Sequence, residues 1–428
     1  EWGSTNDKKD PKFEWAVSEG PLFSAVLHLA AAEYALRFED AKKTKEANAF
    51  LGKEVSSELR GLQGPERDAV VAEMIFAVLS FAGTDQQVKD QVRYAWTPES
   101  QSGRLIRMNE QPHTIHGELR SALQMMASAD FEFKVWVARR LTRELTKRGH
   151  PDIAADLIPQ AVFSDAQKVS DAQKVEARAI IALEIHRADS ASPLPRAIAE
   201  DLKRQFTAGS SKNPLPASAS VLFAVLNVDR AAMPKILPQG EIGGSERFAH
   251  TALLLLEKKD EEALAMAQRP PVRLIEHQLK ALALCAEWMP DPTAALDAAK
   301  ALSSKARKLP WLHLLRLARI AAENGKHDLA KIFADAISDA GVSAWAMGEA
   351  VHIRTLASPG EKASEGWIEL PESPRDLKVG HAWGRLWIAR QNAKLSHNRD
   401  AEKNATSSWP PPIHPFGLAG IALGLQDR

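Results

Sequence analysis

The chain has 428 residues, 45% of them hydrophobic, and its 55 lysines and arginines balance its 55 aspartates and glutamates. This composition supplies a large core, and a formal net charge of zero argues against binding to nucleic acid or to anionic membranes, which relies on clustered cations. The single cysteine, Cys285, excludes an intramolecular disulfide and a cysteine-based zinc site, and it is predicted to be a small buried apolar residue.

The N-terminal residues 1–12 are predicted to be a tail outside the core. Trp2 is followed by a polar run, which fits either a disordered terminus or the stub of a juxtamembrane segment whose anchor is missing. A membrane helix needs about 18 uninterrupted apolar residues, and the best candidate, residues 21–38, contains Glu33 and Arg37. We therefore expect no direct membrane insertion and a soluble domain that is either cytoplasmic or tethered to a cell envelope.

Residues 13–129 show no regular repeat and are predicted to form an irregular N-terminal helical cap or a sub-bundle. Their composition indicates helices at 13–61, 66–82, 85–94 and 117–129, and a long loop at 97–116. The loop contains His113 and His116, but two histidines without a cysteine or acidic partner make only half of a zinc site. We therefore predict no metal site and no cofactor.

The remaining residues, 130–428, are predicted to be all-α, because apolar residues recur at helical spacing and no segment alternates with the period of a strand. One pattern recurs four times and places an arginine six residues before a turn: Arg143 before Gly149, Arg319 before Gly325, Arg354 before Gly360, and Arg390 before Ser396. Further turns near 188, 227, 258 and 289 complete a period of 31–39 residues. Such a period is typical of stacked helical hairpins, so we expect an α-solenoid, a right-handed superhelix of antiparallel hairpins.

Small residues are expected where the two helices of a hairpin approach each other closely. An alanine stands five residues after each of six turns, at Ala154, Ala232, Ala263, Ala294, Ala330 and Ala401. We predict that these alanines lie at the contact between the two helices.

Residues 311–337 resemble a tetratricopeptide repeat. Trp311 and Leu315 would lie in the first helix, Gly325 at the turn, and Ala330, Phe333 and Ala336 in the second helix, and Trp345 and Trp383 begin later first helices as Trp311 does. The chain is thus similar to the tetratricopeptide-repeat family, in a degenerate form, over residues 130–428, with HEAT-like repeats as the alternative. The resemblance implies that the first helices line a concave groove. The apolar segment 416–425 is predicted to be a capping helix on the last hairpin.

Four arginines and two tryptophans are the candidate binding residues. The resemblance places Arg143, Arg319, Arg354 and Arg390 in the concave groove, as a ladder of guanidinium groups that would bind the carboxylates of an acidic peptide. The other interpretation pairs each arginine with an acid on the adjacent hairpin, for which Glu323, Asp335 and Glu349 are available. Trp383 and Trp387 share a helix face at i and i+4, and fit either core packing or stacking on a ligand.

The sequence contains no phosphate loop, nucleophile elbow, HExxH motif, dinucleotide fingerprint or EF-hand loop. We therefore expect a non-catalytic scaffold or adaptor that binds protein partners in its concave face. The alternative is a carbohydrate-active hydrolase or lyase built as a toroid of helices, with paired carboxylates among Glu287, Glu349 and Glu365. A closed ring of helices would favour this alternative. An RNA-reading repeat would need a basic groove, which the zero net charge disfavours.

Overall fold

The computed structural model describes residues 14–37, 46–47, 49–62, 64–81, 94–95, 106–107, 120, 122–163, 169–208, 215–234, 242–270, 274–303, 311–339, 344–373 and 376–428. Within these ranges the chain is almost entirely helical, which confirms the predicted all-α class. The strands among the described residues are Tyr94–Ala95 and Ile106–Arg107, which pair antiparallel. The predicted tail at 1–12 and the pair His113 and His116 lie outside the described residues.

The helices are numbered here in chain order. The N-terminal ones are α1 (Glu14–Leu36), α2 (Ser56–Leu59) and α3 (Pro65–Phe81). They are followed by α4 (Phe131–Lys147), α5 (Pro151–Val162), α6 (Asp171–Ala188), α7 (Leu194–Ala208), α8 (Ala217–Val225), α9 (Gly244–Leu256), α10 (Asp260–Gln268), α11 (Ile275–Trp288) and α12 (Thr293–Ser303). The C-terminal ones are α13 (Trp311–Glu323), α14 (His327–Asp339), α15 (Ala344–Ala357), α16 (Val379–Lys394), α17 (Asn398–Lys403) and α18 (His414–Gln426).

Short π- and 3₁₀-helical turns complete the described secondary structure. The π-helical turns are Phe50–Val55, before α2, and Asn404–Ser408, after α17. The 3₁₀ turns are Met126–Ser128, Arg230–Ala232, Glu365–Trp367 and Pro411–Ile413. The helix expected over 13–61 therefore ends at Leu36, and a separate helical segment covers residues 50–59.

The chain divides into two compact units. Unit 1 comprises Glu1–Ala82 and Leu314–Arg428, and unit 2 comprises Gly83–His313. The sequence predicted a boundary near residue 129, between the N-terminal cap and the first repeat. That boundary stays a prediction.

Unit 2 contains consecutive helices that pack as hairpins. Helices α5, α7, α10 and α12 each pack against the helix that precedes them. The preceding helices also contact one another in chain order, α4 with α6, α6 with α8, α8 with α9, and α9 with α11. Each hairpin thus buries its apolar face partly against its own second helix and partly against the next hairpin.

Five turns in the two units share one left-handed geometry. The residue with positive φ in each turn is Gly149 (82°), Asn227 (54°), Lys258 (60°), Gly325 (68°) or Ser396 (69°). In each turn this residue donates its N–H to the carbonyl three residues back, and the next residue donates to the carbonyl five residues back at 2.8–2.9 Å. This is the Schellman motif, which satisfies the last carbonyls of a helix before the chain reverses. The turn predicted at Gly360 is present, without a positive φ.

The alanines after these turns are mostly buried, as predicted. Ala154, Ala263 and Ala330 are fully buried and Ala401 nearly so. Ala232 is half-buried. The prediction is wrong for Ala294, which is exposed: α12 is rotated so that its neighbour Ala295 lies in the contact instead.

Helix α18 in unit 1 lies very close to α16. A Cβ atom at Gly420 or Gly424 would overlap the carbonyl oxygen of Leu386 or Arg390, so only glycine allows this approach. The helix predicted at 416–425 is therefore present, and its glycine pair lies at a contact between two helices of the same chain.

Helix α1 also contacts α18, and the two helices run in the same direction. The ring of Phe23 packs edge-on against Phe416 at 5.6 Å. Three turns of helix further along α1, the carbonyl of Tyr34 accepts a hydrogen bond from Gln426 at 3.3 Å. The N-terminal helix and the C-terminal helix thus share one core.

Candidate functional site

A cluster of five charged side chains lies in unit 2 where α4, α6 and α11 meet. Its members are Arg139 and Arg143 from α4, Glu184 and Arg187 from α6, and Glu287 from α11. Residues three or four apart on a helix share a face, so α4 presents both its arginines to the carboxylates of the other two helices. We call these five residues the arginine cluster.

The two helices that supply most of the arginine cluster have well-defined ends. Helix α4 begins at Asp130, whose carboxylate accepts the N–H of Glu132 at 2.9 Å, and it ends before the left-handed Gly149. Helix α6 begins with a capping box between Ser170 and Gln173. These caps satisfy terminal N–H groups and fix where each helix starts, so the positions of the cluster side chains follow from local sequence.

Arg139 bridges the two carboxylates of the cluster. Its Nε donates to Oε1 of Glu184 at 2.8 Å, and its Nη2 lies 2.7 Å from Oε2 of Glu287. Burial disfavours a charge on Arg139, but the carboxylates of Glu287 and Glu184 outweigh burial and raise its pKa. Arg139 is therefore a structural cation that neutralises buried acids.

Arg143 and Arg187 occupy the outer side of the cluster. Arg187 donates to Oε2 of Glu184 from Nε at 3.3 Å and from Nη2 at 3.2 Å. Nε of Arg143 lies 3.8 Å from Oε2 of Glu184, and its Nη2 lies 4.0 Å from Oε2 of Glu287. Both distances are too long for hydrogen bonds. The side chains of Arg143 and Arg187 are 24% and 23% exposed, so both are partly accessible to solvent.

The charges in the cluster perturb one another strongly. Burial would raise the pKa of Glu184, but Arg139, Arg187 and Arg143 together hold it below the usual range. Burial lowers the pKa of Arg187; Glu184 opposes this, and repulsion from Arg143 and Arg139 adds to it. Three guanidinium groups thus share two carboxylates.

A comparable buried group lies in unit 1 around Glu349. Its Oε2 accepts a hydrogen bond from Nη2 of Arg319 at 2.8 Å, and its Oε1 accepts one from the indole Nε1 of Trp383 at 2.5 Å. His352, one turn further along α15, places Nδ1 3.5 Å from Oε2. Burial would raise the pKa of Glu349, but His352, Arg319 and Trp383 overcome it and lower the pKa to about 2.

Aromatic rings surround this buried carboxylate. Trp387 stacks on His352 with ring centroids 3.6 Å apart, and it contacts Trp383 edge-on at 5.5 Å. Trp345 stacks on Trp383 at 5.0 Å. Trp383 is 1% exposed and Trp387 is 8% exposed. In this conformation both rings are packed against protein side chains and present almost no surface to a ligand.

The remaining two arginines of the sequence series are also paired within unit 1. Arg390 donates from Nε to Oδ2 of Asp427 at 2.8 Å, lies 3.6 Å from Glu33, and holds its guanidinium 4.5 Å from the ring centre of Trp387. Arg354 forms an ion pair with Asp335. Arg319 and Arg354 thus pair with Glu349 and Asp335, two of the acids that the ion-pair interpretation of the sequence named. A binding role for the four arginines stays a prediction.

A third carboxylate, Glu365, has the same kinds of partners. Its Oε2 accepts the indole N–H of Trp409 at 2.8 Å and forms an ion pair with Arg385. Its Oε1 accepts a hydrogen bond from Asn404 at 2.8 Å. The guanidinium of Arg385 also lies 5.1 Å from the ring centre of Trp409.

These groups share a pattern, a glutamate that accepts an indole N–H and pairs with an arginine. We call each group an Arg–Glu–Trp triad. The three triads are Arg139–Glu184–Trp288, Arg319–Glu349–Trp383 and Arg385–Glu365–Trp409. A buried indole N–H needs an acceptor and a buried guanidinium needs an anion, and in each triad one glutamate serves both. The first two triads each join three different helices.

The sequence indicated Arg319, Trp383, Glu349 and Glu365, and one interpretation offered Glu349 as a partner for the arginine series, but the hydrogen bonds of Trp383 and Trp409 to these acids were not predicted. Arg139 was expected on a solvated basic face of its helix, but it is buried, and Glu184 was not singled out. A signal was present, because Glu184–Arg187 and Glu349–His352 share the spacing Glu-x-x-base on their helices. That spacing is common on helix surfaces, so it does not by itself predict a buried triad. The triads are recognised only from the hydrogen bonds of the tryptophans to the glutamates.

Among the described residues, no group of three histidine, cysteine, aspartate or glutamate side chains is placed to hold a metal ion. Cys285 is buried, as predicted, and burial raises the pKa of its thiol to about 12. None of the helices in the described ranges is long and apolar enough to cross a membrane.

Comparison of the chain with protein-family models, with curated proteins and with solved structures gave no match.

Proposed function

We propose that the chain is a non-catalytic scaffold or adaptor, a degenerate tetratricopeptide-like α-solenoid that binds a protein partner. The observation that carries the proposal is the recurrence of one turn, the Schellman motif at five positions, each in a predicted repeat register. Repetition of one supersecondary unit is the basis of helical-repeat arrays, whose extended surfaces serve as binding platforms. The binding part of this proposal is an argument from architecture.

The parallel directions of α4 and α11 fit an array of hairpins, whether it is open or closed into a ring. Lys280 donates to Glu132 at 2.7 Å, and Arg139 lies 2.7 Å from Glu287. Moving seven residues along α4 thus matches moving seven residues along α11, so the two helices run in the same direction. First helices of stacked hairpins are expected to be parallel, because each hairpin returns the chain to its starting end.

The state of the carboxylates supports a non-catalytic role. A glycoside hydrolase needs a carboxylic acid whose pKa is raised, so that it is protonated when it meets the substrate. Glu349 has the opposite property, with a pKa of about 2, and it is 1% exposed. Glu365 and Glu287 are each held by an arginine. The acids closest to the tryptophans are therefore ion-pair partners.

One observation favours the toroidal enzyme as a second candidate. The contacts of Glu132 with Lys280 and of Arg139 with Glu287 join α4 to α11 across the row of helices in unit 2, as in a ring of helices. A toroidal hydrolase or lyase would release reducing ends from a polysaccharide panel, and Glu287→Gln would abolish that release. The scaffold proposal expects no turnover by the native chain.

A quantitative capture experiment tests the proposed function. The native chain, immobilised, is incubated with a lysate of its source organism beside an unrelated all-helical protein, and retained proteins are identified by mass spectrometry. A protein enriched only on the native chain is then purified, and its affinity is measured by isothermal titration calorimetry. We expect saturable one-site binding. The proposal fails if no enriched protein binds the chain in purified form.

A further inference from the structure

The C-terminal ends of α1 and α18 meet in unit 1 beside a group of four charged side chains. The four are Glu33 and Arg37 at the end of α1, Arg390 on α16, and Asp427 at the end of α18. We call them the terminal charge cluster. Because the cluster lies where α1 is attached to the C-terminal helices, its protonation state bears on how firmly α1 is held.

The two carboxylates of the terminal charge cluster share its two arginines unequally. Asp427 forms an ion pair with Arg37, and it accepts hydrogen bonds from Nε and Nη2 of Arg390 at 2.8 Å and 3.5 Å. Oε2 of Glu33 lies 3.6 Å from Nη1 of Arg390, which is too long for a hydrogen bond. Among the described residues, none donates a hydrogen bond to Glu33, although its side chain is only 24% exposed. Glu33 is therefore a largely buried carboxylate without a donor.

The backbone adds negative potential at the same place. The C-terminus of a helix carries about half a negative elementary charge, and Glu33 and Asp427 lie at the C-terminal ends of two helices that run in the same direction. The pKa of Glu33 is raised, with burial as the largest cause. Arg390 and Arg37 oppose this shift, whereas Asp427 and Glu349 add to it. A negative charge on Glu33 is thus incompletely compensated.

The other elements that pack against α1 have charged groups with contacts of their own. These elements are α2, α3 and the π-helical turn Phe50–Val55. Their charged groups and the partners of these groups are Glu58 with Ser24, Glu73 with Arg319, and Lys53 with Glu54. The protonation of Glu33 is therefore governed mainly by the terminal charge cluster.

We propose that the attachment of α1 to α16 and α18 is a proton-sensitive joint, which tightens when Glu33 takes up a proton and loosens when Glu33 is ionised. A protonated Glu33 loses the charge that burial and the two helix ends disfavour, and it gains an O–H donor. Asp427 keeps both arginines in either state. The joint concerns how the two ends of the chain hold together within unit 1, and it does not depend on the scaffold function.

The directions of two pKa shifts set the pH window of the joint. The pKa of Glu33 is raised, so its contribution is fully present below pH 4.5, its ordinary pKa, and is lost as the pH rises through the folded value. Burial would raise the pKa of Asp427, but Arg390 and Arg37 lower it, so its contribution is present above pH 3.8 and is lost as the pH falls. Both contributions are present together between pH 3.8 and 4.5.

Hydrogen exchange monitored by mass spectrometry tests the joint in the full chain, with native protein and Glu33→Gln compared at pH 7 and at pH 4.5. Glutamine has the shape of a protonated glutamate and carries no charge. Peptides from α1 should exchange about threefold or more slower in Glu33→Gln than in native protein at pH 7. The ratio should fall toward one at pH 4.5. His352 and Glu349 titrate in both chains, so their contributions cancel at each pH.

An ordinary ion pair between Glu33 and Arg390 predicts the opposite sign. Glu33→Gln would then exchange faster than native protein at pH 7, and this result would overturn the proposal. So would a ratio that is the same at both pH values. Asp427→Asn is the contrasting variant, because it removes the carboxylate that holds both arginines. Its α1 peptides should exchange faster than those of native protein at pH 7, and slower exchange in both variants would contradict the unequal sharing.

Glu361→Gln is the matched control. Glu361 belongs to unit 1, its side chain is 67% exposed, and it lies 3.7 Å from Lys331. This variant should leave exchange of the α1 peptides unchanged at both pH values, and a slowing equal to that of Glu33→Gln would overturn the proposal, because the effect would then reflect net charge. If Glu33→Gln does not fold, Glu33→Met decides: it also removes the charge, and exchange faster than in native protein would reject the joint.

Discussion

Replacing Glu349 by glutamine should destabilise unit 1 strongly, because it removes the central charge of a buried triad. The isosteric amide leaves Arg319 with only the more distant carboxylate of Glu73, 3.9 Å away, and gives the indole of Trp383 a weaker acceptor. Breaking one partner of a buried ion pair typically costs about 3–5 kcal/mol. The pKa of Glu349, about 2 against an ordinary value of 4.5, independently implies about 3 kcal/mol at neutral pH.

The pH dependence gives this prediction a definite sign. The pKa of Glu349 is lowered in the folded state, so its stabilising contribution is fully present above pH 4.5, its ordinary pKa, and is lost as the pH falls to about 2. The difference in free energy of opening between the native chain and Glu349→Gln should therefore be constant near neutral pH. It should shrink as the pH is lowered from 4.5 toward 2.

Hydrogen exchange monitored by mass spectrometry is the appropriate assay, because a chain with two compact units need not unfold in one step. Peptides from α15 and α16 should exchange about a hundredfold faster in Glu349→Gln than in the native chain. Trp288→Phe, in unit 2, is the matched control and should leave those peptides unchanged. Acceleration of less than tenfold at neutral pH would refute the argument that this carboxylate stabilises the core.

Three further predictions follow from local geometry. Gly420→Ala should lower stability by about 1–3 kcal/mol in thermal unfolding, because its Cβ would overlap the carbonyl oxygen of Leu386; an unchanged melting temperature would contradict that contact. Gly325→Ala should cost about 1–2 kcal/mol because φ is +68°, whereas Gly360→Ala, in an exposed turn with open space around it and no positive φ, should change stability by no more than about 0.5 kcal/mol; equal effects would refute this reasoning. Cys285, buried and with a pKa of about 12, should resist iodoacetamide at pH 8 until the chain is denatured, and rapid labelling of native protein would show that its environment is open.

The turns and the alanines that follow them were predictable from sequence because their causes are local. A Schellman motif is closed by hydrogen bonds within six residues, and Gly149, Gly325 and Ser396 each end a helix whose apolar periodicity is visible in the chain. Buried alanines such as Ala154 follow at a fixed distance from the turn, since the geometry of a short connection sets where the two helices meet. All-α structure and the hairpin register therefore came from sequence alone.

The partners of the charged and aromatic residues were decided by the tertiary structure. Trp383 meets Glu349 across 34 residues, and Trp288 meets Glu184 across 104. Such pairs depend on which helices lie side by side and how each is rotated, and many alternative pairings satisfy the same sequence pattern. Burial then determines their electrostatics, because a carboxylate loses its water only when several helices have packed around it. The sequence thus specified the helices and the turns between them, and tertiary packing decided which arginine, glutamate and tryptophan side chains meet.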